Sequence, residues 1–331
     1  MKTLAPLICY KSDTRFLSEP YPTLIRPLVD WNPMKVKNLV PSIFSRILSG
    51  NRSEKAAVRR LMHEIQEAKT LAARSLILQL RTLGIVDRLQ DCEFKVFSQF
   101  GDDGIIQYLI YHTNPSSPTF VEFGVENYRE ANTRFLLIND NWRGLVMDGS
   151  SDYIESIRRD DIYWRYDLTA ACAFIDCDNI ESLLEEHGFA GDAGDLGILS
   201  IDIDGNDYWV WDRINNVDPA IVIVEYNSVF GANRAVTVPY NPSFDRTAAH
   251  DSCLYWGCSV KALCQLAEKK GYAFVGCNSN GNNAYFVKKE HLGALKVMTP
   301  EEGYVESRFR ESRDPSGRLT FLSGSQRRQA I

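Results

Sequence analysis

The segment TFVEFGVEN at residues 119–127 is a short apolar run that closes on an acidic residue, a glycine and further polar residues. A run that is apolar at nearly every position and ends in a turn is typical of a strand buried on both faces of a parallel sheet. Similar runs recur downstream, separated by amphipathic stretches, and this alternation predicts an α/β domain. The predicted strands are Thr119–Phe123, Gly144–Met147, Ile162–Tyr166, Leu196–Ile203, Ala220–Val224, Ala273–Gly276 and Asn283–Val287.

Only the turn-rich segment CNSNGN at residues 277–282 separates the last two runs. Such a short, turn-rich connection predicts an antiparallel hairpin. Five alternating units followed by a hairpin give a Rossmann-like, doubly wound, seven-stranded sheet with an antiparallel last strand. The helices predicted between the strands are Arg129–Ile138, Tyr153–Arg159, Phe174–His187, Tyr208–Ile214 and Val260–Lys270.

Both ends of the chain differ from this core. Residues 1–50 contain six prolines, which exclude long helices there, whereas no proline or glycine occurs between Ser53 and Leu83. That stretch predicts one long helix, with Ser53 as its N-cap and an apolar stripe that would cover the sheet or build a homo-oligomer. We predict an accessory region at 1–90, a core domain at 91–290 and a polar, loosely ordered tail at 291–331. The stripe comprises Ala57, Leu61, Ile65, Leu71, Leu76 and Leu80.

Composition excludes several classes of protein. The 331 residues are 44% hydrophobic, which excludes disorder throughout, and the formal net charge of -6 argues against a nucleic-acid partner held by bulk charge. No apolar stretch approaches the roughly 20 residues of a membrane span, and charged residues occupy the place of a signal peptide's apolar block. We therefore expect a cytoplasmic protein with no membrane span and no nucleic-acid partner.

Acidic residues follow the first three predicted strands. Ligands of open α/β sheets bind at the carboxyl ends of the strands, so these positions predict the site. Asp148 closes the second strand, where a carboxylate can accept both hydroxyls of a ribose. Gly124 would let the backbone approach a ligand closely after the first strand. The acids are Glu122, Asp148 and Asp167.

This layout resembles the class I S-adenosylmethionine-dependent methyltransferases, and more closely their FkbM-related branch, which is associated with surface sugars and natural products. The run LSIDIDGND at 199–207 is similar to the apolar-Asp-apolar-acid-Gly segment of that branch, and SQFGDDG at 98–104 resembles its motif ahead of the first strand. The resemblance covers about residues 94–289. It implies an O-methyltransferase that acts on a hydroxyl of a carbohydrate or related polyol, with S-adenosylmethionine as cofactor. The implied cofactor-binding residues are Gln99, Glu122, Gly124, Asn127, Asp148, Gly149, Asp167 and Asp202.

Glu126 departs from the family's pattern, because the usual glycine-rich turn has a second glycine there. Its carboxylate would repel the carboxylate of the cofactor's methionine, and Asn127, Arg129 or Arg134 would have to supply a compensating donor. The alternative is a non-methylating Rossmann-like protein that binds another nucleotide or carries out metal-dependent phosphoester chemistry. A dinucleotide dehydrogenase is disfavoured, since no G-x-G-x-x-G follows the first strand.

Polar residues two apart also follow the fourth and fifth strands. Asp202 and Asp204 would point to the same side of the fourth strand, and Glu225 and Asn227 would lie beside them on its neighbour. Such oxygen ligands suit Mg²⁺, so Asp204, Glu225 and Asn227 form a candidate metal site; the alternative is hydrogen bonding without metal.

Methyl transfer to oxygen needs a base that takes up the hydroxyl proton, or a metal that lowers the pKa of the hydroxyl. His250 is the candidate base, since it lies in the long polar connection after the fifth strand. Asp204 and Glu225 are the other catalytic candidates. Three residues of the same connection would contact an anionic or sugar substrate, namely Arg234, Tyr240 and Arg246. We expect a small molecule or a glycan as partner.

Overall fold

The computed structural model describes residues 52–190 and 195–331. The chain divides into two units, Met1–His63 and Glu64–Ile331, and the second contains the whole sheet. The predictions for residues 1–50 lie outside the described residues. No helix within the described ranges has the length and apolar character needed to cross a membrane.

The long helix predicted from Ser53 is confirmed as α1 (Arg52–Leu83). Of its predicted apolar stripe, Leu80 is buried, but the rest is wrong: Leu71, for example, is 70% exposed, and Ala73 and Ile77 are buried with Leu80 instead. The buried side chains follow the i, i+4, i+7 spacing of one helical face. Leu71 lies on another face of the helix, and the many apolar residues of this segment fit more than one stripe.

Helices and strands also alternate after α1, and β1 to β5 carry the parallel part of the sheet. The helix predicted at Arg129–Ile138 is wrong over residues 129–133, which form turns, and the helix predicted at Phe174–His187 begins only at Ile180. Besides these helices and strands, a π-helix spans Leu136–Asp140, and 3-10 turns occur at Leu89–Cys92, Ser228–Phe230 and Lys289–His291. The strands are β1 (Thr119–Phe123), β2 (Arg143–Asp148), β3 (Leu168–Cys172), β4 (Asp195–Ile201), β5 (Asp218–Glu225), β6 (Tyr272–Cys277) and β7 (Asn283–Lys288). The helices are α2 (Asp102–Thr113), α3 (Ser151–Arg158), α4 (Ile162–Arg165), α5 (Ile180–Glu186), α6 (Asp207–Arg213), α7 (Arg246–Ala249), α8 (Val260–Lys269), α9 (Pro300–Gly303) and α10 (Ser325–Gln329).

The sheet has seven strands in the order β3-β2-β1-β4-β5-β7-β6, which confirms the predicted fold. Strands β1 to β5 pair in parallel, and β7 is antiparallel to both β5 and β6. The chain reverses its direction of winding between β1 and β4. A ligand crevice forms at such a switch point, outside the carboxyl ends of the strands.

The central strands are buried on both faces. Val121 and Leu199 belong to one apolar cluster, whereas Phe120 and Ile198 belong to the cluster on the other face. Helices cover both clusters, which explains why the strands are apolar at nearly every position.

The third predicted strand is wrong. Residues Ile162–Arg165 form α4, and β3 begins only at Leu168. Trp164 is 71% exposed, and a short apolar run cannot be assigned to strand or helix by its pattern alone. Asp167 therefore precedes β3, at the amino edge of the sheet, where Leu168 pairs with Gly144 at the start of β2.

The C-terminal segment is not the loosely ordered tail predicted from its polar composition. Thr299 caps α9 in a capping box. Its side chain accepts from the Glu302 amide, and the Glu302 side chain accepts from the Thr299 amide. The Tyr304 hydroxyl donates to the Ser228 carbonyl at 2.8 Å, and the Tyr226 hydroxyl donates to the Val305 carbonyl at 2.6 Å. These bonds hold the segment against the end of β5.

Candidate functional site

A cavity of about 540 Å³ lies at the carboxyl edge of the sheet. The segments that follow β1 to β5 and the C-terminal segment form its walls. Three predicted site residues, Asn127, Asp167 and His250, do not line it. Those that do are Gln99, Glu122, Gly124, Asp148, Gly149, Asp202, Asp204, Glu225 and Asn227.

Gly124 starts the turn after β1 with a φ of +71°. A Cβ atom at this position would lie 1.6 Å from the carbonyl oxygen of Asp202. Only glycine therefore allows this turn to cross the end of β4. The Gly124 amide also donates to the Met147 carbonyl at 2.9 Å, so the turn is held between the ends of β2 and β4.

Glu122 supports the loop after β1. Its carboxylate accepts from the amides of Asn132 at 2.8 Å and Thr133 at 3.0 Å. Burial raises the pKa of Glu122 to about 7, although these hydrogen bonds oppose the increase. Both carboxylate oxygens are engaged by the loop, which makes Glu122 a positioning residue for the cavity wall.

Asp148 stands at the end of β2 and is oriented by the backbone. One carboxylate oxygen accepts from the Glu126 amide at 2.8 Å, and the other accepts from the Ser150 amide at 2.8 Å. A carboxylate oxygen can accept more than one hydrogen bond, so both remain available to a ligand. The bond to Glu126 also fixes that residue in the left-handed region, with a φ of +48°.

Two of the three predicted compensating donors are engaged within the loop, and the third, Arg129, is exposed and does not line the cavity. Asn127 accepts from the Arg129 amide at 3.1 Å, and the buried Arg134 donates to the Tyr128 carbonyl at 2.8 Å. Neither side chain lines the cavity. The Asn127 prediction is thus not supported by its placement, because the side chain closes a local turn.

The two aspartates of SQFGDDG have structural roles. Asp103 accepts from the amides of Val96, Phe97 and Ser98 and so wraps the preceding segment around its carboxylate. Asp102 accepts from side chains of the β6–β7 hairpin, including Asn278 and Asn283, both at 2.9 Å. Between them they position Gln99 at the rim of the cavity.

Asp202 and Glu225 form a carboxyl pair at the ends of two adjacent strands, where Ile201 of β4 is in register with Val224 of β5. Burial raises the pKa of both groups well above the usual range, and the charges of Asp204 and Asp207 raise both further; the charge of Asp202 also raises the pKa of Glu225. A hydrogen bond with Glu225 acts against this increase and lowers the pKa of Asp202. The Glu225 Oε2 atom is buried without a hydrogen-bond partner among the described residues.

Asp204 is not on a strand, since β4 ends at Ile201. It adopts a φ of +57° in the following turn, and its carboxylate pairs with Arg246 at 3.0 Å. The predicted alignment of Asp202 and Asp204 on one side of a strand is therefore wrong. Asp207 holds this turn by accepting from the amides of Ile203 and Gly205, both at 2.9 Å.

Asn227 is buried, and hydrogen bonds to the protein engage both its side-chain nitrogen and its side-chain oxygen. Its amide donates to the carbonyls of Leu254 at 2.8 Å and Trp256 at 3.0 Å, and its oxygen accepts from the Val229 amide at 3.0 Å. Within the described ranges, no group of three or more His, Cys, Asp or Glu side chains is placed to hold a metal ion. The predicted set of Asp204, Glu225 and Asn227 is not assembled, because Asn227 and Asp204 have other partners.

His250 follows α7 and is exposed to solvent. Its Nδ1 atom is hydrogen bonded to the Ser252 hydroxyl at 2.8 Å. Because His250 does not line the cavity, it is not placed as the predicted base.

The C-terminal segment supplies cavity residues that the sequence interpretation missed. Phe309 contacts Phe100 edge to face, with 6.2 Å between ring centroids, and Arg327 lines the cavity from α10. The capping sequence TPEE at 299–302, together with Tyr304 and Phe309, was the available signal for an ordered segment.

Neither a protein-family model nor a curated protein matches this sequence. Among solved structures, an O-methyltransferase from Bacillus cereus in complex with SAH has a TM-score of 0.39 and 11% identity, over 65% of this chain and 90% of that one. The DszA carbon methyltransferase has a TM-score of 0.37 and 13% identity, over 59% of this chain and 54% of that one. The N-terminal domain of EvdMO1, in the presence of SAH and D-fucose, has a TM-score of 0.35 and 12% identity, over 68% and 94%.

Similarity at this level carries no conclusion about the activity of this chain. The strand order of its own sheet defines a Rossmann-like, doubly wound fold with an antiparallel β7. What the chain does with that fold follows from the chemistry of its cavity.

Proposed function

We propose that this protein is an S-adenosylmethionine-dependent O-methyltransferase that acts on a hydroxyl of a carbohydrate or related polyol. The observation that carries the proposal is Asp148 at the end of β2. Two backbone amides orient its carboxylate in the cavity wall, and its free lone pairs suit the two hydroxyls of a ribose.

The cavity around Asp148 fits the rest of the cofactor. Gly149 follows it, and the ring of Phe174, after β3, would lie 3.4 Å from a Cβ atom at that glycine. Ala173 and Ile175 line the cavity on either side of Phe174. An apolar surface beside the ribose site supports the binding of an adenine ring.

The Asp202–Glu225 pair fits the chemistry of methyl transfer to oxygen. When bound, the cofactor supplies an electrophilic methyl group. The ionised member of the pair accepts the proton of the acceptor hydroxyl as the new O–C bond forms and the S–C bond breaks. A carboxyl with a raised pKa suits this role better than a solvated one with a pKa near 4.

Aromatic side chains at the cavity support a polyol acceptor. Phe100, Phe244 and Phe309 line it, together with the amides of Asn280 and Asn282. Apolar ring faces pack on the C–H faces of a sugar, and amides bond its hydroxyls. The sequence resemblance to the FkbM-related branch supports the same class of acceptor.

Cofactor binding tests the proposal directly. Asp148→Ala removes the charged acceptor of two hydrogen bonds, each worth roughly 1.5 to 3 kcal/mol, so we expect the affinity for S-adenosylhomocysteine to fall by about two to four decades. Calorimetry measures this on the folded variant. Asp167→Ala is the matched control, because Asp167 is an exposed aspartate at the opposite edge of the sheet. Equal affinity in wild type and Asp148→Ala would contradict the assignment.

Thermal melting separates the proposal from another nucleotide-binding function. A ligand that binds only the folded state stabilises it by about 2.7 kcal/mol at a hundredfold excess over Kd. We expect stabilisation with S-adenosylhomocysteine and none with ATP or NAD. The reverse pattern would favour a non-methylating nucleotide-binding protein.

A further inference from the structure

Arg327 is a buried cation in the cavity wall without a hydrogen-bonded partner. Its side chain, in α10, is 8% exposed and lines the cavity. Its Nε atom is buried and has no hydrogen-bond partner among the described residues, and none of them forms an ion pair with its guanidinium. Buried charges in proteins are normally paired, so this one indicates a missing anion.

The surrounding charges do not neutralise it. Burial lowers the pKa of Arg327, and the nearby charge of Arg246 lowers it further. Glu306 and Tyr304 act in the opposite direction, but only over a distance. The protein therefore keeps a desolvated positive charge at this wall.

Arg246, the other arginine of the described cavity wall, is fully engaged. It donates to Asp204 at 3.0 Å and to the Cys253 carbonyl at 2.9 Å, and its guanidinium stacks on Trp256 at 4.9 Å from the ring centroid. Arg246 thus illustrates an arginine of this cavity whose hydrogen-bonding and charge requirements are met within the protein. Arg327 lacks every one of these contacts.

The position of Arg327 separates it from the proposed ribose site. The helix α10 packs against the 3-10 turn Ser228–Phe230, which directly follows β5. Asp148 ends β2, and β1 and β4 lie between β2 and β5 in the sheet. Three strand spacings amount to about 14 Å, which places Arg327 at the end of the cavity away from Asp148.

We propose that Arg327 binds an oxyanion, a phosphate or a carboxylate group, carried by the acceptor substrate. This inference rests on the proposed function and narrows its acceptor to an anionic derivative of a polyol. The planar guanidinium donates two parallel hydrogen bonds to either oxyanion. The acceptor's anionic group is held at the β5 side, while its hydroxyl lies toward the Asp202–Glu225 pair.

Anion binding in the presence of saturating S-adenosylhomocysteine tests the proposal. The variants are Arg327→Met and, as matched control, Arg328→Met, an exposed arginine next to it in the same helix. The probes are inorganic phosphate and acetate, each compared with chloride at equal ionic strength. We expect at least one probe to raise the melting temperature of wild type and of Arg328→Met, with Arg327→Met binding it at least tenfold more weakly. The probe that binds distinguishes a phosphate from a carboxylate acceptor.

Two further measurements test whether Arg327 has a structural role and whether anion binding needs its planar guanidinium. Without anion, Arg327→Met should melt at or above the wild-type temperature, because an unpaired buried charge has been removed. A lower melting temperature would assign Arg327 a structural role and overturn the proposal. Arg327→Lys keeps the charge without the planar fork, and we expect it to retain weakened anion binding.

Calorimetry with S-adenosylhomocysteine separates this proposal from the one on which it rests. We expect equal cofactor affinity in wild type, Arg327→Met and Arg328→Met. A selective loss in Arg327→Met would assign the guanidinium to the cofactor's carboxylate and overturn the inference. If wild type itself binds no S-adenosylhomocysteine, the proposed function fails, and anion binding is then measured without it. An equal anion response in all variants overturns the inference in either case.

Discussion

The carboxyl groups around the cavity differ in role because their partners differ. Glu122 and Asp207 accept backbone amides with both oxygens and hold loops in place. Asp148 is oriented by two amides and keeps free lone pairs. Asp202 and Glu225 face each other at the ends of two adjacent strands, and the Glu225 Oε2 atom is buried without a hydrogen-bond partner among the described residues. This difference singles out the pair for proton transfer.

At the residue scale we predict that Glu225→Gln lowers kcat by roughly 10²- to 10⁴-fold, the usual effect of losing a general base. A base works only when ionised, so wild-type activity should fall as the pH drops through the raised pKa of the pair, well above the usual carboxyl pKa of about 4. A pH–rate profile measures both effects.

The control for this prediction is His250→Ala. Because His250 is exposed and bonded to Ser252, we expect that variant to keep the wild-type rate and profile. Wild-type activity in Glu225→Gln, combined with loss of activity in His250→Ala, would reverse our assignment of the base.

At the element scale, Asp102 joins α2 to the β6–β7 hairpin. Its buried carboxylate accepts from Asn278 and Asn283 at 2.9 Å each, and from the Tyr285 hydroxyl. Each of these three residues lies more than 170 positions from Asp102 in the sequence. The antiparallel hairpin at the edge of the sheet is thus fastened to the segment that precedes β1.

We predict that Asp102→Ala lowers the free energy of unfolding by about 3 kcal/mol or more, because three buried donors lose their acceptor at roughly 1 kcal/mol or more each. Urea unfolding measures the loss. Asp91→Ala is the control, since Asp91 is an exposed aspartate paired only with exposed Arg88, and such pairs contribute about 0–1 kcal/mol. Similar losses in the two variants would show that the hairpin contacts contribute little.

At the scale of the whole molecule, the second half of α1 belongs to the core of the second unit. Ala73 and Ile77 pack with Val96, Phe97 and Phe135 in one buried cluster. Phe97 directly precedes the SQFGDDG segment, whose Gln99 lines the cavity. The helix therefore supports one wall of the site from behind.

We predict that a chain starting at Glu93 is less stable in urea than one starting at Glu64, and binds S-adenosylhomocysteine more weakly. Burial of an apolar side chain such as Ile77 or Leu80 contributes about 1.5–3 kcal/mol, which the shorter chain loses. The chain from Glu64 is the control, as it keeps both residues. Equal stability and equal affinity of the two chains would show that α1 supports neither the core nor the site.

Much of the fold was predictable from sequence because burial on both faces leaves a local trace. Strands such as β1 and β5 must be apolar at nearly every position, and a turn-rich segment between two runs indicates a hairpin. The position of Asp148 at the ligand edge of the sheet was also predictable, because the residue that ends a parallel strand lies at that edge. A four-residue apolar run such as Ile162–Arg165 carries too little pattern to distinguish a helix from a strand.

The tertiary structure alone decided which polar side chains remain free to act. Asn227 and Glu225 both follow apolar stretches. The Asn227 amide donates to the carbonyls of Leu254 and Trp256, whereas Glu225 keeps an oxygen without a partner among the described residues. The sequence determined where the sheet ends and which acids stand there. The hydrogen-bond partners of these groups come from segments that are distant in the chain, as the C-terminal residues that pack at the end of β5 illustrate. Whether a polar group holds a loop in place or stays free to react therefore depends on which distant segments the fold brings beside it.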